Sequence, residues 1–408
     1  MGPNKPRIGL LVITSQSEVE QAILAENQRR FTQAGSAPLL QEPPFSQVGT
    51  IDLTKLTECI LQHAAFPLEF DTTGVEDSVL QLLPHLQRHP SVEDFSTPHD
   101  PNQCAAGWKK LKTATSASPF GWTFTQVKAL TLDPRLLHVP ATLAWAPFAH
   151  GLWPPEWEKV ANVMLLKEHN DFCTPRSRAI GLLDVPHNHT SKNLGRSMMA
   201  HAENHEQIAI EQCGSRKNKA CVDQSLNKVF TTDDWRVHQT CGIACSTDLQ
   251  SCCDRMVLSA TAMACRRWGA PIPALQSAFG PLSHAHTHVY VRTAHGDSSD
   301  FFAAAPDTPP HGVVQGNGMG PPSWGATSSP VFDVLRDRGH GVAMASPLTH
   351  SPVHCVCFAF VSDEDNATTG TTKCEATEKM QRFLHDLQGG YRFSGGQLVK
   401  DVTLVPSN

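Results

Sequence analysis

The sequence has 408 residues, 40% of them hydrophobic and 18% charged, proportions that exclude a disordered or collagen-like chain. A chain of this length buries a substantial core and is expected to form two or three subdomains. Its formal net charge of -6 excludes a protein that is basic throughout, although a basic groove can coexist with an acidic exterior.

In chain order, Ser15-Gln-Ser-Glu18 fits a capping box, and Val19, Ala22, Ile23 and Phe31 suit a helix over residues 17–32. The stretch over residues 37–48, with Pro38, Pro43 and Pro44, breaks that helix. A second polar, proline-bearing loop over residues 89–103 marks a boundary, so that residues 1–105 read as a mainly helical and loop-forming extension. Beyond Trp108, helices and short strands alternate in an α+β pattern.

Val163-Met-Leu-Leu-Lys-Glu168 and Arg178-Ala-Ile-Gly-Leu-Leu183 each set a cation beside an apolar strand. Lys167 and Arg178, eleven residues apart, could close on triphosphate oxygens from two strands of a hairpin, though a lone Lys or Arg is more often a solvated charge. Lys192, Arg196, Arg216, Lys217 and Lys219 add a local basic bias, diluted by Glu203, Glu206 and Glu211. Residues 243–247 read as a strand ending at Asp248, followed by a helix from about Ser251 that carries Met256, Val257, Ala260, Met263, Ala264 and Trp268 before Gly269 and Pro271 end it. Asp254 falls in its first turn, where favourable charge against the helix dipole is the plainer reading.

Gln315-Gly-Asn-Gly-Met-Gly-Pro-Pro322 is a glycine-rich loop before the apolar stretch from Trp324 to Leu335, and it lets backbone approach a ligand or another chain. The nearly all-apolar stretch over residues 353–361 predicts one strand buried on both faces. It runs into Ser362-Asp-Glu-Asp-Asn366, a polar turn starting a hairpin that would bring Asp363 near Asp248. A solvated acidic turn is the ordinary alternative. His284-Ala-His-Thr-His288, on a strand, would put three imidazoles on one face, most simply a polar surface. His187-Asn-His189 lacks the surroundings of a nuclease site. Trp153, Trp157 and Trp235 are read as packing residues that could alternatively stack bases.

Thirteen cysteines with no CxxC pair include Cys252-Cys253 and Cys355-Val-Cys357 in apolar runs, where reduced cysteine acts as a small buried hydrophobe. No basic-then-apolar signal segment opens the sequence, and its longest apolar runs, residues 8–13 and 356–361, are too short to span a bilayer. The expected setting is therefore a reducing interior, nucleus or cytoplasm, away from membrane.

The order acid, glycine loop, acid resembles the reverse transcriptase domain of retroelements, especially of non-LTR type, over about Lys112 to Thr403. Thr113-Ala-Thr-Ser-Ala-Ser-Pro-Phe-Gly121 is similar to the entry motif of such domains, and Glu211-Gln-Cys-Gly-Ser-Arg216 to their Gln-x-Gly-Phe-Arg segment. Lys167 and Arg178 match the fingers lysine and the arginine of the Arg-Pro-Ile phrase, with Ala179 in place of proline. Asp248 through Arg255 matches the first palm motif, with Cys253 replacing an aromatic; Gln315 and Gly316 match the second. Phe360-Val-Ser-Asp363 matches the Tyr-Ala-Asp-Asp box. Lys373 to Leu398 resembles the helix and turn that follow it.

The resemblance implies an α+β, right-hand polymerase-like fold: fingers over residues 106–240 and a palm over residues 241–408, an antiparallel sheet backed by helices. The thumb would be largely missing, since Asn408 follows soon after the fourth palm motif. It also implies template-directed nucleotidyl transfer with two Mg²⁺ ions on Asp248 and Asp363, an RNA template, a DNA primer and deoxynucleoside triphosphates. Lys167, Arg178, Gln315 and Gly316 would hold the nucleotide. Ser362 departs from this pattern: it stands where the family has a metal-binding aspartate, and a neutral hydroxyl is a poor ligand for a hard cation. Asp365 is the nearest substitute, but two residues along a strand displace a side chain by about 6–7 Å. The alternative expectation is a catalytically silent descendant, either a nucleic-acid binder or a decaying element copy.

Overall fold

A computed structural model describes residues 12–41, 55–97, 101–118, 121–168, 173–284, 288–303, 305, 310–345, 349 and 351–400. Its first half runs α1 (Gln16–Thr32), α2 (Pro38–Gln41), α3 (Lys55–His63), α4 (Asp77–Leu86), α5 (Pro101–Lys109), α6 (Phe124–Leu130), α7 (His138–His150), β1 (Lys159–Leu166), β2 (Ser177–Leu182), α8 (Val185–Asn204) and α9 (Cys221–His238). Then come β3 (Cys241–Leu249), α10 (Cys252–Arg255), α11 (Leu258–Arg267), α12 (Ile272–Ser283), β4 (His288–Thr293), β5 (Gly296–Ala303), α13 (Gly320–Asp337), β6 (Val342–Ala345), β7 (Pro352–Cys355), β8 (Cys357–Phe360), β9 (Asp363–Gly370), α14 (Lys373–Arg392) and β10 (Leu398–Lys400). The architecture is mixed α+β. No helix among the described residues is long and apolar enough to cross a membrane.

A mixed sheet has the order β2-β1-β4-β5, with β1 and β4 parallel. An antiparallel sheet has the order β10-β3-β9-β8, and β6 and β7 form a separate ribbon. Side chains alternate between the two faces of a strand, and both faces of the antiparallel sheet carry helices. On one, Ile243 and Cys245 pack with Ala376 and Met380 of α14. On the other, Trp235 of α9 covers Ala244, Phe358 and Ala367. Past Trp235 that second face continues into Ser246, Asp248, Asp363 and Asp365.

The helix of the first capping box spans Gln16–Thr32, and the Ser15 hydroxyl accepts from the Glu18 amide at 3.4 Å. Side chains of the first hundred residues share the main core: Phe31, Ile60, Leu82 and Leu86 join Trp268, Phe332 and Phe383 in one cluster. Backbone bonding ties this region on as well, since the Phe95 amide donates to the Gly269 carbonyl at 3.1 Å.

Three local expectations need correction. The helix expected from Ser251 is broken into α10 and α11 at Met256 and Val257, both extended. Tertiary bonds capture their backbone: the Val257 amide donates to the Ser394 carbonyl at 3.1 Å, and the Gly312 amide donates to the Met256 carbonyl at 2.9 Å. The single strand expected over residues 353–361 is two, because the Val356 amide donates to the buried Glu211 carboxylate at 3.2 Å instead of to a strand. Val353 is exposed, so β7 is not buried on both faces. His284 caps the end of α12, with Nδ1 3.1 Å from the Glu158 carboxylate, and so does not lie on a strand. Residues 285–287 lie outside the described residues. His187 and His189 sit inside α8, where their rings stack on Trp157 and Trp108 at 4.8 and 4.0 Å. Burial pushes both imidazoles down to about 4, as expected of neutral core histidines.

Candidate active site

Register places the acidic residues. Ser246 faces Asp365 and Thr247 faces Glu364 across β3 and β9, so the next rung sets Asp248 opposite Asp363. Both are exposed. Alternation puts them on one face with Asp365 and Ser246, while Thr247 and Glu364 turn inward and are buried. Asp248 lies between the two neighbouring strands, its backbone paired with Val399 of β10 on the other side.

Asp365 has other partners. Lys228 of α9 reaches it at 2.8 Å, and the Ser246 hydroxyl donates to it. Ser362 is half-buried in the two-residue turn between β8 and β9. Beneath the acidic face, the buried Glu364 carboxyl accepts from the Tyr391 hydroxyl. Burial pushes it up to about 8; the Tyr391 bond opposes that, and Asp248 and Asp363 add to it. Desolvation thus favours the neutral form of this carboxyl beside Asp248 and Asp363.

The turn itself is strained and clamped. Val361 has φ +59°, a region unfavourable for a β-branched residue. Gln212, 1% exposed, grips it from both sides. The Gln212 side-chain oxygen accepts from the Val361 amide at 2.8 Å, and its nitrogen donates to the Val361 carbonyl at 3.0 Å. Trp324, in the second turn of α13, donates to the same carbonyl at 2.6 Å. The segment leading to Gln212 runs beside β8: the Cys213 amide donates to Ala359 at 2.9 Å, and the Ala359 amide to Glu211 at 3.2 Å. Glu211, which reads in sequence as diluting a basic patch, is buried and bonded to Arg336 at 2.6 Å.

The two cations lie on the expected hairpin. Leu165 faces Arg178 across β1 and β2, and Lys167 follows β1 directly. Both cations are exposed. The glycine loop docks on the outer edge of β2, where the Gly181 amide donates to the Gln315 carbonyl at 2.7 Å. Gly316, at φ +114°, passes so close that an added Cβ would lie 2.6 Å from the Gly181 carbonyl. Asn188 of α8 fixes the loop by donating to the Gly316 carbonyl at 3.1 Å and accepting from the Gly318 amide at 2.8 Å. Upstream, the Val313 amide donates to the Cys253 carbonyl at 2.8 Å, joining the loop to the helix after Asp248. Of the basic residues nearby, Lys192, Arg196, Lys217 and Lys219 are exposed, and Arg216 is held by Glu203 at 2.7 Å.

Asp254 differs from expectation. It is 1% exposed, 3.7 Å from the Arg30 guanidinium of α1. Burial pushes its carboxyl up to about 6 against the pull of Arg30 and Lys167. A helix of four residues has little dipole to oppose that, so desolvation prevails over the helix-dipole reading.

Sequence reading nominated Asp248, Asp363, Lys167, Arg178, Gln315 and Gly316, and the structure puts Asp248 and Asp363 on one face, Lys167 and Arg178 on one hairpin, and Gln315 and Gly316 against β2. It missed Gln212 as a clamp, Tyr391 as partner of Glu364, and Lys228 as partner of Asp365. Buried polar contacts between distant segments leave no local pattern. Among the described residues no three His, Cys, Asp or Glu side chains are grouped as a metal cage. Neither a model of a known protein family nor a curated protein matches the chain.

Proposed function

We propose that this chain is a polymerase domain of reverse transcriptase type, built for template-directed nucleotidyl transfer, whose metal site has lost one carboxylate at Ser362. The supporting observation is the register of β3 and β9, whose last pairs are Ser246 with Asp365 and Thr247 with Glu364, so that Asp248 and Asp363, 115 residues apart in sequence, fall on the next rung of one exposed face. In this reading the antiparallel sheet with α13 and α14 is the palm, and the β1–β2 hairpin belongs to the fingers.

The residues present suit a hard divalent cation in part. Two exposed carboxylates match the one or two that Mg²⁺ takes beside water and phosphate oxygens. The third position falls to Ser362, a neutral hydroxyl, and Asp365 is engaged by Lys228 and Ser246. Bound Mg²⁺ would neutralise charge on the transferred phosphoryl group and favour the attacking 3′ hydroxyl. Asp248 and Asp363 would hold it. Lys167 and Arg178 would orient triphosphate oxygens, Gln315 and Gly316 would lie against template and incoming deoxynucleotide, and Gln212 would hold the turn bearing Asp363. An RNA template and a DNA primer are the partners this reading implies.

A second reading, a catalytically silent descendant that binds nucleic acid or is a decaying element copy, is favoured by Ser362 and by the engagement of Asp365. Metal-dependent primer extension on poly(rA)/oligo(dT) separates the two, comparing the native chain with Ser362→Asp and Asp248→Ala. Extension by Ser362→Asp alone supports a sound fold silenced by one lost carboxylate. Extension by the native chain, abolished by Asp248→Ala, sinks the silent reading. No extension by either removes support for the polymerase.

A further inference from the structure

A different concavity lies at the far end of the antiparallel sheet. It is about 410 Å³ in volume, between the turn after α13, the β6–β7 ribbon, the end of β9 and one face of α14. Its lining includes Arg338, His340, His354, Lys379 and Arg382, and no acid. In a chain whose formal net charge is -6, five basic side chains around one cavity are a marked local concentration. We infer that this concavity binds phosphate groups, carried either on a nucleic-acid backbone or as free pyrophosphate.

The acids near it pair with some of these cations without using all of their donors. Glu375 pairs with Lys379 at 2.8 Å, and the Thr369 carbonyl takes a second Lys379 donor at 3.1 Å, leaving the third. Asp386 pairs with Arg338 through one guanidinium nitrogen and with His340 at 2.6 Å. A guanidinium carries five donors, more than this one pair uses. Arg382 is exposed and has no acidic partner among the described residues. Arginine forks with a lysine and imidazoles match tetrahedral phosphate oxygens. Gly339, at φ +72°, adds no bulk: an added Cβ would meet no atom within 4 Å. A second concavity of about 840 Å³ shares Arg338, His340 and Arg382 and is lined as well by Gln381, His385, Glu378 and Asp386. The two concavities adjoin through these shared residues. Thr369 is six residues along β9 from Asp363, roughly 20 Å away at strand rise, so this site is separate from the acidic face.

The test uses the full chain, with pyrophosphate and a short fluorescein-labelled oligo(dT) as probes. Binding is measured by calorimetry and by anisotropy over a range of salt, and lysine acetylation is mapped with and without probe. At least one probe should protect Lys379 from acetylation. Arg382→Glu should weaken that probe about tenfold, and for the oligonucleotide lower the salt slope by about one. His354→Glu is the second variant, and unchanged thermal midpoints certify both. Protection by pyrophosphate alone assigns the site to free phosphate; protection by oligo(dT) alone assigns it to a backbone. Lys379 unprotected by either probe, or both variants binding as the native chain does, overturns the inference.

Discussion

Replacing Gln212 by Ala tests whether the turn bearing Ser362 and Asp363 is held from outside the hairpin. The Gln212 side chain accepts from the Val361 and Gly214 amides at 2.8 and 3.0 Å and donates to the Val361 carbonyl at 3.0 Å. In the variant the carbonyl keeps Trp324, while the two amides lose their acceptor. Each buried polar group left unpaired costs about 1–3 kcal/mol. Val361 is half-buried and can recover water, so the expected loss is about 2–4 kcal/mol, towards the lower part of the sum for two groups. The left-handed backbone at Val361 stores about 1–3 kcal/mol of strain, so a released turn should also change conformation. Urea unfolding reads the stability, and amide hydrogen exchange at Val361 reads the turn. A loss below about 1 kcal/mol with unchanged Val361 exchange would refute the clamp.

Asp254→Asn should alter the pH dependence of stability. The native carboxyl is raised from 3.8 to about 6, so its protonated form is favoured by folding. Its contribution is present at low pH and is lost as pH rises through about 6. The shift of roughly 2 units amounts to about 3 kcal/mol, so native stability minus variant stability should fall by that order between about pH 4 and 7; a flat difference in unfolding across that range contradicts it. Gly316→Ala should destabilise by roughly 2 kcal/mol or more, because its positive φ and the Gly181 carbonyl leave no room for a methyl group; thermal unfolding unchanged from native would count against the docked loop. Lys228→Met should cost less than about 1 kcal/mol, since the Asp365 pair is partly solvated. A larger loss in chemical denaturation would mean that the pair is structural.

How far the site was legible depends on the range of the interaction. The Ser15 capping box, the strand ending at Asp248 and the glycine loop before α13 are set by neighbouring residues, and each forms near its predicted place. The breaks at Met256 and Val356 are not legible, because the competing partners, Ser394, Gly312 and Glu211, lie far along the chain. Asp254 shows the same limit: its local sequence reads as a helix-dipole charge, and only the packing of α1 over α10 makes it a buried group beside Arg30.

Legible in the residues alone are which segments alternate, where glycine and proline interrupt them, and that carboxylates occur at 248 and 363 with Ser362 directly before the second. The tertiary structure decided which carboxylates share a face. Pairing of β3 with β9 in one register sets Asp248 against Asp363 and turns Glu364 inward, and a slip of one residue would exchange those roles. Packing of α9 gives Asp365 to Lys228, and the buried amide of Gln212 holds a backbone conformation that Val361 would not adopt alone. Such choices depend on desolvation and on contacts between residues far apart in sequence, which local pattern does not encode.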